Sequence, residues 1–132
     1  MKEISELNLP QDRRYSREHG WARPDGDIVM VGITDYAQDQ LGDIVFVGLP
    51  EVGDEFATDQ AYGSVESVKA VSELFMPMAG TVAEINQDLE EAPEIVNADP
   101  YAAGWLIKIR AENPAELDAL MEHKAYLDMI KG

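Results

Sequence analysis

Short runs of Val, Ile and other apolar residues, separated by turn residues, recur along this chain and limit the folds that it can adopt. The runs at 28–33 (IVMVGI), 43–50 (DIVFVGLP) and 105–111 (WLIKIRA) each have the length of one strand. Each is bordered by Gly, Pro or Asp, the residues that tight turns favour. Such spacing is typical of antiparallel barrels and sandwiches, and it predicts a mainly β fold.

Further strand-like runs and one loop complete the expected order. The runs lie at 15–23, 55–57, 61–67, 70–75 and 81–85. The polar stretch 86–104 contains two prolines and predicts an ordered loop with one helical turn. No linker or low-complexity segment is present, so we expect one domain over residues 1–132 with its core at about 15–110.

A short internal helix is predicted after the strand at 28–33. Thr34 or Asp35 can serve as its N-cap, and Gln38 lies within reach of a capping box. Gly42 is suited to end the helix because glycine adopts the left-handed backbone of a helix terminus at little cost.

A longer C-terminal helix is predicted at about 114–131. Asn113 is a good N-cap, Pro114 occupies the first helical position, and Glu116 can close a capping box. The predicted apolar face consists of five residues: Leu117, Leu120, Met121, Leu127 and Ile130.

The charge balance excludes several classes of partner. The chain has 10 Lys and Arg against 26 Asp and Glu, a net charge of −16. Such a surface repels phosphate, so we expect neither nucleic acid nor an anionic membrane as a partner. The absence of cysteine excludes disulfides and thiolate metal sites. With no signal-peptide pattern and no membrane-spanning run, we expect a protein of the cytoplasm or an organelle matrix.

The usual catalytic patterns are missing. His19 and His123 are far apart in sequence, and a structural or surface role is favoured for both over a catalytic or metal-binding one. No glycine-rich phosphate loop occurs, and the serines at 64 and 67 have no local base. We therefore expect a protein that is not an enzyme and that binds no metal.

One lysine is unusually isolated. Lys69 is the only Lys or Arg between Arg23 and Lys108. It lies in SVESVKAVSELF, which predicts two strands joined by a tight turn with Lys69 at the tip. A turn lysine ordinarily only adds solubility. Its isolation on a compact hairpin nevertheless favours a side chain that another enzyme finds and modifies.

Three collinear stretches carry a resemblance to a known family. VGITDYAQDQLGDIVFVGLPEVG, ESVKAVSELFMPMAG and EIVNADPYAAGWLIKI resemble the H protein of the glycine cleavage system, in that family's order. The resemblance implies a lipoyl/biotinyl-type barrel-sandwich hybrid in which Lys69 carries lipoic acid through an amide. It also implies that Glu66 and Gly53 take part in recognition by the lipoylating enzymes.

The function implied by the resemblance is that of a monomeric swinging-arm carrier. Its arm would accept the aminomethyl group of glycine at a pyridoxal phosphate decarboxylase and deliver it to a tetrahydrofolate-dependent aminomethyltransferase. A flavin-containing dihydrolipoyl dehydrogenase would then reoxidise the arm. The absence of cysteine is consistent with this cycle, because a nearby thiolate could trap the arm as a mixed disulfide.

The chain departs from the family's pattern on the first predicted strand. Members of the H-protein family usually read His-Glu-Trp where this chain has His19, Gly20 and Trp21. The resemblance implies that the glutamate missing here holds the loaded arm in a cleft. Glu18 or Glu73 could substitute, so the candidate arm contacts are Glu18, His19, Gly20 and Glu73.

A second departure is at position 48, where an acidic residue is common in the family and this chain has Gly48. Together with Gly20, this change leaves room for an H-like lipoyl carrier in lipoate relay or another transfer system. A biotinyl carrier and an unmodified acidic binding module are the remaining alternatives. The flanking residues Val68 and Ala70 argue against biotin, since biotinyl domains normally place methionines there.

Overall fold

A computed structural model describes residues 3–132 of the chain. Nine strands account for most of the regular structure of these residues. In chain order they are β1 (Arg14–Tyr15), β2 (Gly20–Asp25), β3 (Ile28–Ile33), β4 (Ile44–Gly48), β5 (Glu55–Phe56), β6 (Ala61–Ser67), β7 (Val71–Phe75), β8 (Gly80–Ile85) and β9 (Ile107–Ala111). They form two antiparallel sheets, of order β1-β2-β3-β9-β8-β5 and β4-β6-β7. The predicted mainly β fold is confirmed, although the two sheets do not close into one continuous barrel.

Alternating apolar residues bury the inner faces of both sheets against each other. On the larger sheet Val31 pairs with Ile107 across β3 and β9, and both side chains are buried. On the smaller sheet Val47 pairs with Val65 across β4 and β6, again buried. All four belong to one core cluster, and each such side chain stabilises the fold by about 1.5–3 kcal/mol when fully buried.

Within residues 3–132, three α-helices connect or cover the strands: α1 (Asp35–Leu41), α2 (Ile95–Ala98) and α3 (His123–Lys131). Three short 3-10 helices accompany them at Ile4–Glu6, Gln87–Glu90 and Pro114–Ala119. Among residues 3–132, no helix is both long enough and apolar enough to cross a membrane.

The short internal helix is confirmed, and its N-cap is Thr34. The Thr34 hydroxyl accepts a hydrogen bond from the Ala37 amide, and Gly42 ends the helix with a φ of 79°. The Gln38 amide group does not close a capping box; it donates to the Asp35 carboxylate at 2.7 Å.

The prediction of one continuous strand at 15–23 is wrong, because a turn separates β1 from β2. Tyr15 and Trp21 face each other as antiparallel partners, with Ser16 beginning the turn and His19 ending it. The Gly20 amide donates to the Ser16 hydroxyl at 3.1 Å, and the His19 amide donates to the Ser16 carbonyl at 3.2 Å. The Ser16 side chain thus provides local bonds that compete with an extended strand.

The prediction of one C-terminal helix at about 114–131 is also wrong. The 3-10 helix at Pro114–Ala119 is capped by Asn113, and an extended segment then separates it from α3. In that segment Met121 forms a bridge with Tyr15, with two backbone hydrogen bonds of 2.8 and 2.9 Å. Pairing with β1 therefore replaces the helical bonds of this segment. The Glu116 carboxylate accepts a hydrogen bond from Thr58 and forms no capping box.

A second buried cluster is aromatic and fixes α3 to β1 and β2. Tyr15 and Tyr126 stack with ring centroids 4.9 Å apart, and both are fully buried. The Arg13 guanidinium lies 4.6 Å from the Trp21 ring and 5.1 Å from the Tyr101 ring. Tyr126 is absent from the predicted apolar face, although it lies four residues before Ile130 and so shares its side of the helix.

Candidate functional site: a lysine at a hairpin tip beside a cleft

Lys69 lies at the tip of the hairpin between β6 and β7, as predicted. The Ser67 hydroxyl accepts hydrogen bonds from the Lys69 amide at 3.3 Å and from the Ala70 amide at 3.1 Å. The Val68 amide donates to the Asp43 carbonyl at 3.1 Å and ties the tip to the start of β4. The tip is therefore held from within and from the neighbouring strand, while the side chain of Lys69 is exposed.

The ammonium group of Lys69 has no ion pair or hydrogen bond within the described part of the chain. Its side chain passes close to the end of α1, since a Cβ atom added to Gly42 would lie 3.5 Å from Lys69 Cε and 4.0 Å from Nζ. An exposed primary amine without a partner can be acylated without breaking an existing contact. The stem of the lysine therefore lies beside the end of the helix.

A cleft of about 270 Å³ lies next to this hairpin. Its walls come from the turn before β2, strand β3, helix α1, and strands β6 and β7. Buried apolar residues of both sheets form part of its lining, Ile33 from the larger sheet and Val65 and Leu74 from the smaller one. Such a cleft can shelter a slender apolar chain from water.

Two walls of the cleft contain residues that lie close to Lys69. Leu41 lines the cleft on the α1 side and is followed by Gly42, which approaches the lysine stem. Ser72 lines it on the β7 side, three residues after the lysine. A flexible group attached to Lys69 can therefore pass over Gly42 and enter the cleft.

All four residues predicted as arm contacts line this cleft, namely Glu18, His19, Gly20 and Glu73. Glu18 and Glu73 are exposed, so their carboxylates are at the rim, whereas His19 and Gly20 are half-buried. Glu18 and Glu73 are 55 residues apart in sequence, and the fold brings them to one cavity. Their role toward an arm remains a prediction. Gly48 pairs with Ser64 at the end of β4 and does not line the cleft.

The cleft has negative charge at its rim and a neutral imidazole in its wall. Burial lowers the pKa of His19 below its ordinary value, and the nearby Glu18 carboxylate opposes this only in part. His19 is therefore uncharged at neutral pH, and the two rim carboxylates set the sign of the local field. The arrangement favours a cationic group over an anionic one. No cluster of metal ligands occurs among residues 3–132.

Three tyrosines of the cleft region were missed in the sequence, and one of them, Tyr62, lines the cleft from β6. Tyr36 lines the cleft from α1, and its ring centroid lies 5.0 Å from that of His19. The Tyr126 hydroxyl lies 2.8 Å from Nδ1 of His19, reaching the cleft wall from α3. Helical spacing alone could have placed Tyr126 on the buried side of α3, but its partner His19 is 107 residues away.

The other two predicted site residues lie outside the cleft. Glu66 is on β6 between Phe46 and Val71, its neighbours on the two adjacent strands, both exposed. Gly53 is in the turn before β5 with a φ of 98°, and its amide donates to the Val82 carbonyl. No hydrogen bond or ion pair joins Gly53 to Glu66 or Lys69 in the described residues.

Comparison with known proteins shows that nearly the whole chain is similar to glycine cleavage H proteins. The sequence profile of the family described as Glycine cleavage H-protein matches residues 13–132. A glycine cleavage system H protein of Bacillus licheniformis is 53% identical over 125 residues, covering 95% of this chain and 98% of the relative. One from Symbiobacterium thermophilum is 55% identical over 119 residues, covering 90% and 93%. A crystal structure of the Mycobacterium marinum H protein superposes with a TM-score of 0.85 at 36% identity, covering 94% of this chain and all of that one.

Proposed function

Because the chain belongs to the glycine cleavage H-protein family, we propose that it acts in glycine cleavage as a carrier whose lipoyl group is attached to Lys69 by an amide. The observation that carries this proposal is the unpaired amine of Lys69 on a fixed hairpin tip beside a cleft. When bound, the lipoyl group supplies a reducible disulfide that can take up the aminomethyl group of glycine and release it again.

The residues of the cleft fit such an arm in two respects. The apolar lining from Leu41, Val65 and Leu74 suits an aliphatic chain. The carboxylates of Glu18 and Glu73 at the rim favour a protonated amine at its end, and the neutral imidazole of His19 does not repel it. In this proposal the cleft shields the reactive end of the arm from water through non-covalent contacts.

The tip and the adjacent strands are exposed for docking on enzymes. We propose that lipoylating enzymes recognise Glu66, three residues before the acceptor lysine, and Gly53 in its turn. The further partners in this proposal are the pyridoxal phosphate decarboxylase, the tetrahydrofolate-dependent aminomethyltransferase and the flavin dehydrogenase, with the carrier monomeric in the cytoplasm. The net charge of −16 supports fast encounter with basic surfaces on these partners.

One observation favours a second function. Position 20 of the half-buried cleft wall carries no side chain, so the loaded arm meets carboxylates only at the exposed rim. An H-like carrier that passes on the lipoyl group itself, in lipoate relay or another transfer system, needs no such protection. Failure of the lipoylated protein to accept an amine from glycine would favour this second function.

The proposal is tested by the intact mass of protein co-expressed with a lipoate ligase. We expect one lipoyl adduct on the wild type and none on Lys69→Arg, because a guanidinium does not form the amide. Lys108→Arg is a matched control, since Lys108 is occupied by Glu84 and the Trp105 ring. An adduct retained by Lys69→Arg would contradict the assignment, a biotinyl mass would identify a biotinyl carrier, and an unmodified wild type would favour the acidic binding module.

A further inference from the structure

A hydrogen-bonded chain links the C-terminal helix to the wall of the cleft. The Tyr126 hydroxyl of α3 lies 2.8 Å from Nδ1 of His19 and 2.8 Å from the hydroxyl of Thr34. The Thr34 hydroxyl also accepts the hydrogen bond from the Ala37 amide at the start of α1. Three segments that are distant in sequence therefore meet at one tyrosine hydroxyl.

The burial of Thr34 determines which atom donates in each of these hydrogen bonds. Thr34 is fully buried, and its oxygen already accepts from Ala37, so its own proton has the Tyr126 oxygen as its acceptor within residues 3–132. Tyr126 then directs its proton to Nδ1 of His19. The opposite direction would leave the Thr34 proton buried without an acceptor, which is unfavourable. Nδ1 therefore accepts, and the ring proton is on Nε2.

We propose that Tyr126 is a positioning residue that holds His19 as the neutral Nε2–H tautomer, so that the wall of the cleft presents an uncharged hydrogen-bond donor. Nε2 has no partner in the described residues, and it is the ring nitrogen left for a ligand. It can donate to an acceptor atom of an arm while Glu18 and Glu73 remain available to an amine. This consequence for the arm rests on the proposed function, whereas the tautomer itself does not.

The backbone of His19 also indicates that its ring is held in place. Its φ of 66° is in the left-handed region, which is uncommon for a residue with a side chain. Bonds from its amide to the Ser16 carbonyl and from the Thr34 amide to its own carbonyl fix this conformation. The ring then packs against Tyr36 and the edge of Tyr126. A rotation that moved Nδ1 away from Tyr126 would break these ring contacts.

The test is heteronuclear NMR of the imidazole nitrogens in the unlipoylated protein, where only two histidines contribute signals. In the wild type we expect Nδ1 of His19 to be unprotonated and Nε2 protonated at neutral pH. In Tyr126→Phe we expect both tautomers. The midpoint of the His19 titration should also rise by about one pH unit, because one hydrogen bond to the neutral form is lost. Among the ionisable groups near the ring, Tyr36 and the removed Tyr126 contact it, and Glu18, Tyr62 and Glu73 line the same cleft.

Tyr15→Phe is the matched control. The Tyr15 ring stacks on Tyr126, and its hydroxyl donates to the Pro10 carbonyl. Removing this hydroxyl leaves the contact between Tyr126 and His19 intact. The inference is overturned if the wild-type proton is on Nδ1, or if Tyr126→Phe leaves the tautomer and the midpoint unchanged. It is also overturned if Tyr15→Phe changes both as strongly as Tyr126→Phe. Absence of lipoylation on Lys69 would contradict the proposed function and leave the NMR result unaffected.

Discussion

Replacing Gly20 with glutamate would place a carboxylate in the half-buried wall of a cleft whose other carboxylates are at its exposed rim. The backbone accepts the change, because Gly20 is the first residue of β2 and its φ is not in the left-handed region. An added Cβ would lie 3.3 Å from the Ser16 hydroxyl and 3.4 Å from the Gly32 carbonyl. That hydroxyl accepts a hydrogen bond from the Gly20 amide and must shift slightly to admit the Cβ atom, so we expect a loss of stability of about 1–3 kcal/mol.

The gain for a loaded arm follows from where the new carboxylate lies. Ion pairs at an exposed rim, such as those available to Glu18 and Glu73, contribute about 0–1 kcal/mol. A pair at position 20 is better sheltered and should add about 1 kcal/mol. If the arm must leave the cleft before its amine is lost, this corresponds to an about fivefold longer lifetime of the loaded carrier.

The assay loads lipoylated protein with glycine and decarboxylase, removes the enzyme, and follows the release of ammonia and formaldehyde. Gly20→Gln is the matched control, since it adds nearly the same bulk without the charge. We expect the glutamate variant to decay more slowly than both the wild type and the glutamine variant. Equal lifetimes in all three would refute the reasoning, and faster decay in Glu18→Gln or Glu73→Gln would then assign the protection to the rim.

The remaining predictions concern recognition and the C-terminal helix. Glu66→Ala should change the free energy of unfolding by less than about 0.5 kcal/mol. It should nevertheless slow lipoylation, measured as the growth of the adduct mass with time. A lipoylation rate equal to that of the wild type would show that Glu66 is not part of the recognition surface. Deleting residues 123–132 removes the fully buried Tyr126 and uncovers Tyr15, so we expect a loss of at least about 3 kcal/mol in denaturant unfolding. A truncated chain that unfolds like the full one would show that α3 contributes little to stability.

Local sequence patterns predicted much of the fold. The strands at 28–33 and 61–67 have the predicted ends, and α1 starts and stops at the predicted capping residues Thr34 and Gly42. These elements depend on alternation, capping and turn chemistry, which act between near neighbours. Lys69 at the hairpin tip was predictable for the same reason.

The errors have two origins. The turn between β1 and β2 depends on local bonds of Ser16 that the apolar pattern does not reveal, and the other errors depend on partners distant in sequence. Met121 is extended because Tyr15, 106 residues earlier, offers it two backbone hydrogen bonds. The cleft was predictable only as a set of candidate residues, since nothing local places Glu18 in the same cavity as Glu73. The contact of Tyr126 with His19 likewise depends on how α3 docks.

The outer strands of the larger sheet have a consequence for the behaviour of the protein at high concentration. β1 and β5 are its two edges, and each has only two residues. Edges so short offer few unpaired amides and carbonyls to another chain, and the bulge between Ile44 and Phe46 disturbs the β4 edge of the smaller sheet. With mutual repulsion from a net charge of −16, these edges disfavour strand-to-strand aggregation. The larger sheet therefore offers a second copy of the chain little edge on which to add a strand.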